Sequence, residues 1–300
     1  MSALTYGQQD AHYTMYMMNP FVINPALAGT ADYYQIRSNH RFQYMNFNDA
    51  PVTNSISAYG PDSRRPMGYG GTIFNDITGP TSRTGISGVY GYNVKVKSTI
   101  KVSGGLSLGL IQYKLDGTKI TTDEDNDPAL QNQVYTAFVP DASAGVYVWA
   151  TDFYGGFSVN HILNSKIKLS SSSTQSQNRL KPHFYLVGGY MKDVSQGRKK
   201  MMWVIEPSLI VKKVVPASWQ IETNMKVTYK QQFWGGLSFR SQDALSFLMG
   251  YTYKRQAYFA YSFDLALNDI RQYSAGSHEF VLGYNFAKIK KLKINSKKKK

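Results

Sequence analysis

The sequence predicts an all-β protein: a transmembrane antiparallel up-and-down β-barrel of about 14 strands with an N-terminal plug-like segment. Three observations carry this. Polar and apolar residues alternate with period two through most of the chain, the alternating runs are long, and loop length is sorted by parity along the chain. Helical periodicity is almost absent, and no stretch approaches the roughly 20 apolar residues that a membrane helix needs.

The alternation is plainest in three segments. In 34–44, Gln35, Arg37, Asn39, Arg41 and Gln43 alternate with Tyr34, Ile36, His40, Phe42 and Tyr44. In 99–112, Ile100, Val102, Leu106, Leu108 and Leu110 share one face, opposite Lys101, Ser103, Gly105, Ser107 and Gly109. In 218–230, Trp219, Ile221, Met225, Val227 and Tyr229 alternate with Gln220, Glu222, Asn224, Lys226 and Lys230. An apolar strand face looks into a core in a soluble sandwich and at lipid in a membrane barrel, and periodicity alone does not separate the two. Length favours the barrel, since these runs reach about ten residues against about five or six for an average soluble strand. Strands are expected near 34–44, 52–60, 67–76, 83–94, 99–113, 139–150, 153–163, 182–192, 201–212, 218–230, 232–240, 244–254, 257–266 and 277–287.

If the first strand leads outward from the periplasm, the three longest connections all fall on the outer side, near 114–138, 164–181 and 267–276. Outer-membrane barrels have short periplasmic turns and longer outer loops. The same parity places Arg64, Arg65, Lys95, Lys97, Arg198, Lys199, Lys200, Lys254 and Arg255 at the periplasmic end, a basic rim that suits either plain solvation or an acidic periplasmic partner. The 114–138 connection is acidic, with Asp116, Asp123, Glu124, Asp125 and Asp127.

Composition narrows the class. The absence of cysteine excludes disulfides and thiolate metal sites. Charged residues are 18 %, below the roughly 25 % of soluble domains. About half of the net charge of +15 comes from a C-terminal tail containing Lys288, Lys290, Lys291, Lys293 and Lys297 to Lys300; the remainder is a moderately basic protein, not a basic surface for nucleic acid. The start, MSALTYGQQD, lacks a charged n-region and a full apolar run, so residues 1–7 are read as the remnant of a signal peptide, with the mature chain beginning near Gln8. The expected organisation is residues 1–7 as that remnant, 8–33 as a periplasmic plug segment, 34–287 as the barrel and 288–300 as the basic tail.

The ends of the chain carry a family resemblance. Gln8-Gln9-Asp10, Tyr13, Tyr16, Asn19-Pro20 and Ile23-Asn24-Pro25-Ala26-Leu27-Ala28-Gly29 resemble the opening of the PorP/SprF family of type IX secretion membrane proteins of Bacteroidota, with Leu27 in place of the usual aromatic. Gly250-Tyr251, Tyr261-Ser262-Phe263-Asp264, Ser274 to Glu279 and Gly283-Tyr284 resemble that family's ending. The last strand, Ser277 to Phe286, ends in an aromatic like a barrel-assembly signal, although a lysine tail follows it. The resemblance implies a non-enzymatic outer-membrane barrel without cofactors. It implies a role in secretion or anchoring of a specific surface protein, in some members a gliding adhesin. The implied partners are a secreted cargo with a C-terminal sorting domain, type IX secretion components including periplasmic and lipoprotein partners, and membrane lipid.

The residues of 8–33 fit such a role independently. Two Asn-Pro pairs bar a continuous helix. Tyr13, Met15, Tyr16, Met17, Met18, Phe21, Val22 and Ile23 need burial. The segment is expected to start at the periplasmic end and to fold into or across the barrel mouth, with Tyr13, Tyr16, Asn19, Pro20, Asn24, Pro25 and Gly29 as its contact residues.

Signals for other chemistry are weak. Asp123, Asp125 and Asp127 alternate as early calcium ligands do, but the central glycine and distal glutamate are missing. No two of His12, His40, His161, His183 and His278 have metal spacing. Ser158 and His161 should lie on opposite faces of one strand, which excludes a nucleophile–base pair. Gly68-Tyr69-Gly70-Gly71 sits within a strand and is no nucleotide loop. Ser170 to Ser173 and Gln175 to Gln177 mark an outer loop that is either filler or a cargo contact. Three functional classes follow: a secretion and anchoring barrel, a passive diffusion porin, and a soluble β adhesin.

Overall fold

The computed structural model describes residues 10–119, 133–168, 179–196 and 201–286. Fifteen strand segments form one antiparallel sheet: β1 (Tyr34–Phe42), β2 (Val52–Pro61), β3 (Met67–Thr78), β4 (Thr81–Lys95), β5 (Lys101–Asp116), β6 (Val134–Trp149), β7 (Phe153–Asn160), β8 (His183–Tyr190), β9 (Lys192–Asp193), β10 (Trp203–Val214), β11 (Gln220–Tyr229), β12 (Phe233–Arg240), β13 (Ala244–Tyr253), β14 (Ala257–Ala266) and β15 (Ser277–Phe286). Neighbours in sequence pair, and β1 pairs with β15, so the sheet closes into a barrel. Because β8 and the two-residue β9 both pair with β10, they share one wall position, and the wall has fourteen.

All fourteen expected strands are present. The interruption between β8 and β9 falls at Met191, level with Glu206 of β10 and one residue past Tyr190, which lies across from Pro207, a residue with no N–H to give to a neighbour. The seventh strand stops at Asn160, short of the expected 163, because His161 takes a left-handed conformation (φ 58°). The hairpin of β5 and β6 runs further than expected, with sixteen residues in each arm.

The faces are inverted relative to a soluble core. Leu108 is 72 % exposed, while Arg41 and Arg240 are each 1 % exposed. Ile36, Ile56, Ile86, Leu106, Leu186 and Met249 also point out, whereas Arg37, Asn39, Glu222 and Asn224 are buried inside. That resolves the ambiguity of the alternation: the apolar face meets lipid and the polar face lines the lumen. A band of outward aromatics marks the short-turn end, including Tyr34, Tyr69, Tyr90, Trp203, Phe233 and Tyr251. Its rings meet in tilted cross-strand pairs such as Trp203–Tyr229 (centroids 4.5 Å apart) and Phe233–Tyr251 (4.8 Å), as befits an interfacial girdle. The turns below are tight. Lys230-Gln231 and Lys254-Arg255 both have paired positive φ values (50° and 56°, 49° and 57°), the twist that two-residue hairpins require.

Residues 10–30 are buried or half-buried inside the barrel, and Asp32 is exposed at the short-turn end. Asn19 and Asn24 each precede a proline that opens a single 3-10 turn (Pro20–Val22 and Pro25–Leu27); Asn24 is extended (ψ 112°), whereas Asn19 has ψ 67°. The Asn24 side chain accepts from the Ala26 N–H at 2.9 Å. The sequence predicts a segment that starts at the periplasmic end and folds into or across that mouth; the described segment begins instead at the opposite end and runs the length of the lumen. Asp10 meets His161 and His183 at the long-loop end, and Gly29 lies against Met67 and Gly68 at the short-turn end. A lining of polar side chains along the whole lumen offers partners at every level, which explains the longer path. Glycines make room for it: a Cβ on Gly105 would come within 2.4 Å of the Ala26 nitrogen, and one on Gly68 within 2.3 Å of the Gly29 nitrogen.

Gly105→Val is therefore expected to destabilise the protein by about 1–3 kcal/mol and to make residues 10–33 protease-sensitive. Gly104→Val, where a Cβ would meet nothing within 4 Å, serves as the lipid-facing control and should change neither property. Thermal unfolding in detergent and limited proteolysis read both.

Candidate functional site: the lumen and its N-terminal segment

The segment is bound to the wall at three levels. At the long-loop end, the His161 Nε2 lies 2.8 Å from Asp10 Oδ1 and its Nδ1 lies 2.9 Å from Asp141 Oδ1. The Asp10 N–H donates to His183 Nε2 at 3.1 Å. Burial works against a charged His161, but Asp10 and then Asp141 outweigh it and hold its pKa up to about 10. Burial likewise works against a charged Asp10, and the two histidines and Arg83 outweigh it, holding the carboxyl well below its usual range. Nearby, Lys212 Nζ donates to His12 Nδ1 at 2.8 Å, and His12 Nε2 faces Glu222 at 3.4 Å. Burial, with Arg240 and Lys212 close by, pushes the His12 imidazole well below its ordinary value.

Just below sits Thr14, fully buried among charges. Its N–H donates to Glu279 Oε2 (2.8 Å) and its hydroxyl donates to Asp264 Oδ2 (2.7 Å). The same hydroxyl accepts from Arg41 (2.9 Å) and Arg240 (2.6 Å). Arg41 also pairs with Asp264 (2.7 Å) and Glu279 (3.1 Å), and Arg240 pairs with Glu222 (3.0 Å) and Asp243 (2.8 Å). One threonine thus joins ion pairs from β1, β11, β12, β14 and β15.

The lower levels use neutral groups. The Tyr16 hydroxyl accepts from Asn224 (2.7 Å) and lies 3.4 Å from Ser208. Asn19 Nδ2 donates to Asn39 (2.7 Å) and Ser57 (3.1 Å). Phe21 stacks on Tyr59 at 4.1 Å, and the Tyr258 hydroxyl donates to the Met18 carbonyl (3.0 Å). Asn24 Nδ2 donates to the Val146 carbonyl (3.0 Å), and the Ser158 hydroxyl to the Ile23 carbonyl (2.6 Å). Polar contacts therefore reach from β1 and β2 round to β6, β7, β10, β11 and β14.

Of the residues singled out from sequence, Tyr16, Asn19, Asn24 and Pro25 are buried in this contact, while Tyr13, Pro20 and Gly29 are half-buried within it. Tyr13 lines a cavity of about 110 Å³ together with Asp10, Arg83, Asp141 and His161. A second cavity of about 340 Å³ opens beside Asp10, His12, Lys212 and Trp219. Arg64, Arg65, Lys254 and Arg255 are exposed at the short-turn end, the first two in a turn held by Asp62. Arg198, Lys199, Lys200, the Asp123–Asp127 cluster, Ser170 to Ser173, Gln175 to Gln177 and the lysine tail lie outside the described residues.

Two sequence readings need correction. Ser158 and His161 do not lie on opposite faces: both are buried inward, because the left-handed His161 breaks the alternation. They still make no catalytic pair, since Ser158 is bound to a backbone carbonyl and His161 to two carboxylates. Histidine spacing along the chain also missed a cluster. The fold brings Asp10, His161 and His183 together, with one donor atom from each within 4.8 Å of the others. Thr14, which has no chemical signature in sequence, was missed as well. The charges around it were legible only as inward-facing residues of opposite sign near strand ends.

A family model described as "Type IX secretion system membrane protein PorP/SprF" matches residues 5–284. No curated protein matches the chain. Among solved structures, the barrel is similar to the Pseudomonas putida toluene transporter TodX, at 10% identity and a TM-score of 0.50, covering 89% of this chain and 94% of that one. It is also similar to the Acinetobacter baumannii outer membrane protein Omp33, at 8% identity and a TM-score of 0.45 over 85% and 98%. The KdgM porin matches at 11% identity and a TM-score of 0.42 over 84% and 99%.

The charged cluster gives a quantitative expectation. Arg41→Ala should cost about 3–5 kcal/mol, because it leaves Asp264 and Glu279 short of a buried partner. Thr14→Val should cost about 1–3 kcal/mol. The double variant should lose less than the sum, since the two share hydrogen bonds. Denaturant unfolding of the three variants in detergent measures this coupling.

Proposed function

The chain belongs to the PorP/SprF family of type IX secretion system membrane proteins, and from that premise we propose that it is a non-catalytic outer-membrane docking barrel closed by its own N-terminal segment. Its long-loop face holds a secreted or cell-surface protein through that protein's C-terminal sorting domain. Its short-turn face, bearing Arg64, Arg65, Lys254 and Arg255, meets periplasmic or lipoprotein components of the secretion machine. Long loops face outward in outer-membrane barrels, which assigns the two ends.

The observation that carries this reading is the polar and aromatic contact between residues 10–29 and the wall at every level of the lumen. A passive porin needs a continuous aqueous path, and its rim need not bind protein. A barrel filled by its own chain has its two faces left for function. The basic short-turn rim supports the choice of an acidic periplasmic surface as partner.

Conductance separates the readings. In planar bilayers the intact protein should show little steady current, and deletion of residues 10–33 should open a stable pore. A pull-down from outer membranes should recover one large secreted protein with a C-terminal sorting domain, alone or with type IX components. Steady conduction by the intact protein, with the barrel recovered alone after gentle crosslinking, would sink the docking reading in favour of a porin.

A further inference from the structure

The meeting of Asp10, His161 and His183 has a geometry that the segment–wall contact alone does not require. We propose that these three residues form a binding site for a divalent transition-metal ion of the zinc class, which fastens the N-terminal segment to the barrel wall at the long-loop end. The proposal rests on where residues 10–30 lie in the lumen and not on what the barrel is used for.

The donors come from three distant points of the chain: the N-terminal segment, the residue after β7 and the first residue of β8. Both rings are oriented alike. His161 Nδ1 donates to Asp141 Oδ1 at 2.9 Å and His183 Nδ1 to the Lys181 carbonyl at 2.9 Å. The Nε2 of each is turned to residue 10: that of His161 to the carboxylate at 2.8 and 2.9 Å, that of His183 to the backbone N–H at 3.1 Å. An imidazole whose far nitrogen is tied to a carboxylate or a carbonyl is the usual outer shell of a metal-binding histidine. His161 is brought inward by a left-handed backbone (φ 58°) immediately after β7.

Charge and space fit a dication. Asp10 and Asp141 together balance a charge of two, and the ion replaces the proton between His161 Nε2 and the Asp10 carboxylate: the proton passes to solvent, the two atoms part from 2.8 Å to about 3.3 Å, and His183 Nε2 exchanges the Asp10 N–H for the ion. Arg83, 3.8 Å from Asp10, is engaged by Asp76 through its Nε at 3.1 Å. The cavities of about 110 and 340 Å³ that border Asp10 leave room for water as a fourth ligand. Two imidazoles and one carboxylate suit zinc, cobalt or nickel, whereas calcium and magnesium prefer oxygen donors throughout. An ion held by both segment and wall binds only the inserted state and so stabilises it.

The test is titration of the full-length, metal-stripped protein in detergent with Zn²⁺ by calorimetry and with Co²⁺ by visible absorption. The expected result is one Zn²⁺ per chain and a Co²⁺ absorption band. His161→Ala and His183→Ala should each weaken Zn²⁺ binding by about 100-fold or more, and Asp141→Asn by about 10–100-fold. Asp10→Asn, which changes no wall residue, should weaken binding in a barrel that keeps its heat-modifiable gel mobility. Substoichiometric Zn²⁺ binding by the wild type, or undiminished binding by the His161→Ala/His183→Ala double variant, overturns the site. Conductance is read separately, so failure here leaves the closure of the lumen to its own test.

Discussion

A barrel whose outer face must be apolar has only its interior in which to place polar side chains, and buried polar groups need partners. Everything else in this molecule follows from that constraint. The inward positions of β1, β11, β12, β14 and β15 carry Arg41, Glu222, Arg240, Asp264 and Glu279, too many charges to leave unmatched within a narrow tube. They pair with one another across strands, and the pairs converge on Thr14 of the N-terminal segment. The segment is therefore bound by the wall's own need for partners.

The same logic grades the lumen. The segment's charged contacts lie at the long-loop end, its amides and hydroxyls in the middle, and aromatic stacking with glycine cradles at the short-turn end, where the wall adds a Lys226–Glu206 ion pair of its own. Buried ion pairs add little net stability over apolar packing, but they penalise any register that separates them. Neutral and steric contacts below then fix the path to within the space that Gly68 and Gly105 leave open. A segment held this way has one seat.

The fold was legible because a membrane wall writes its period into the sequence. Ile36 against Arg37, and Leu106 against Gly105, state both the strand and its faces. The closure of fourteen wall positions followed from run length and loop parity. Strand ends were less legible where backbone chemistry intervened: the β8–β9 position breaks at Met191, next to where Tyr190 lies across from Pro207, and a left-handed His161 ends β7 early. The site was half legible. Asn19, Asn24 and Tyr16 stood out through the Asn-Pro pairs and the apolar run, but their partners lie far along the chain. The Asp10–His161–His183 cluster was invisible to spacing, because its members are neighbours only after the segment has run the length of the lumen.

The central claim is that residues 10–29 occupy the lumen of the barrel in the membrane. The chain has no cysteine, so an engineered pair reports without background. Asn19→Cys with Ser57→Cys places two thiols where the native side chains touch at 3.1 Å. In outer membranes under mild oxidation this account predicts a disulfide between the two, together with protection of a lone Asn19→Cys from a water-soluble maleimide. Failure to crosslink, with rapid labelling of the lone cysteine, would place the segment outside the barrel and contradict the account.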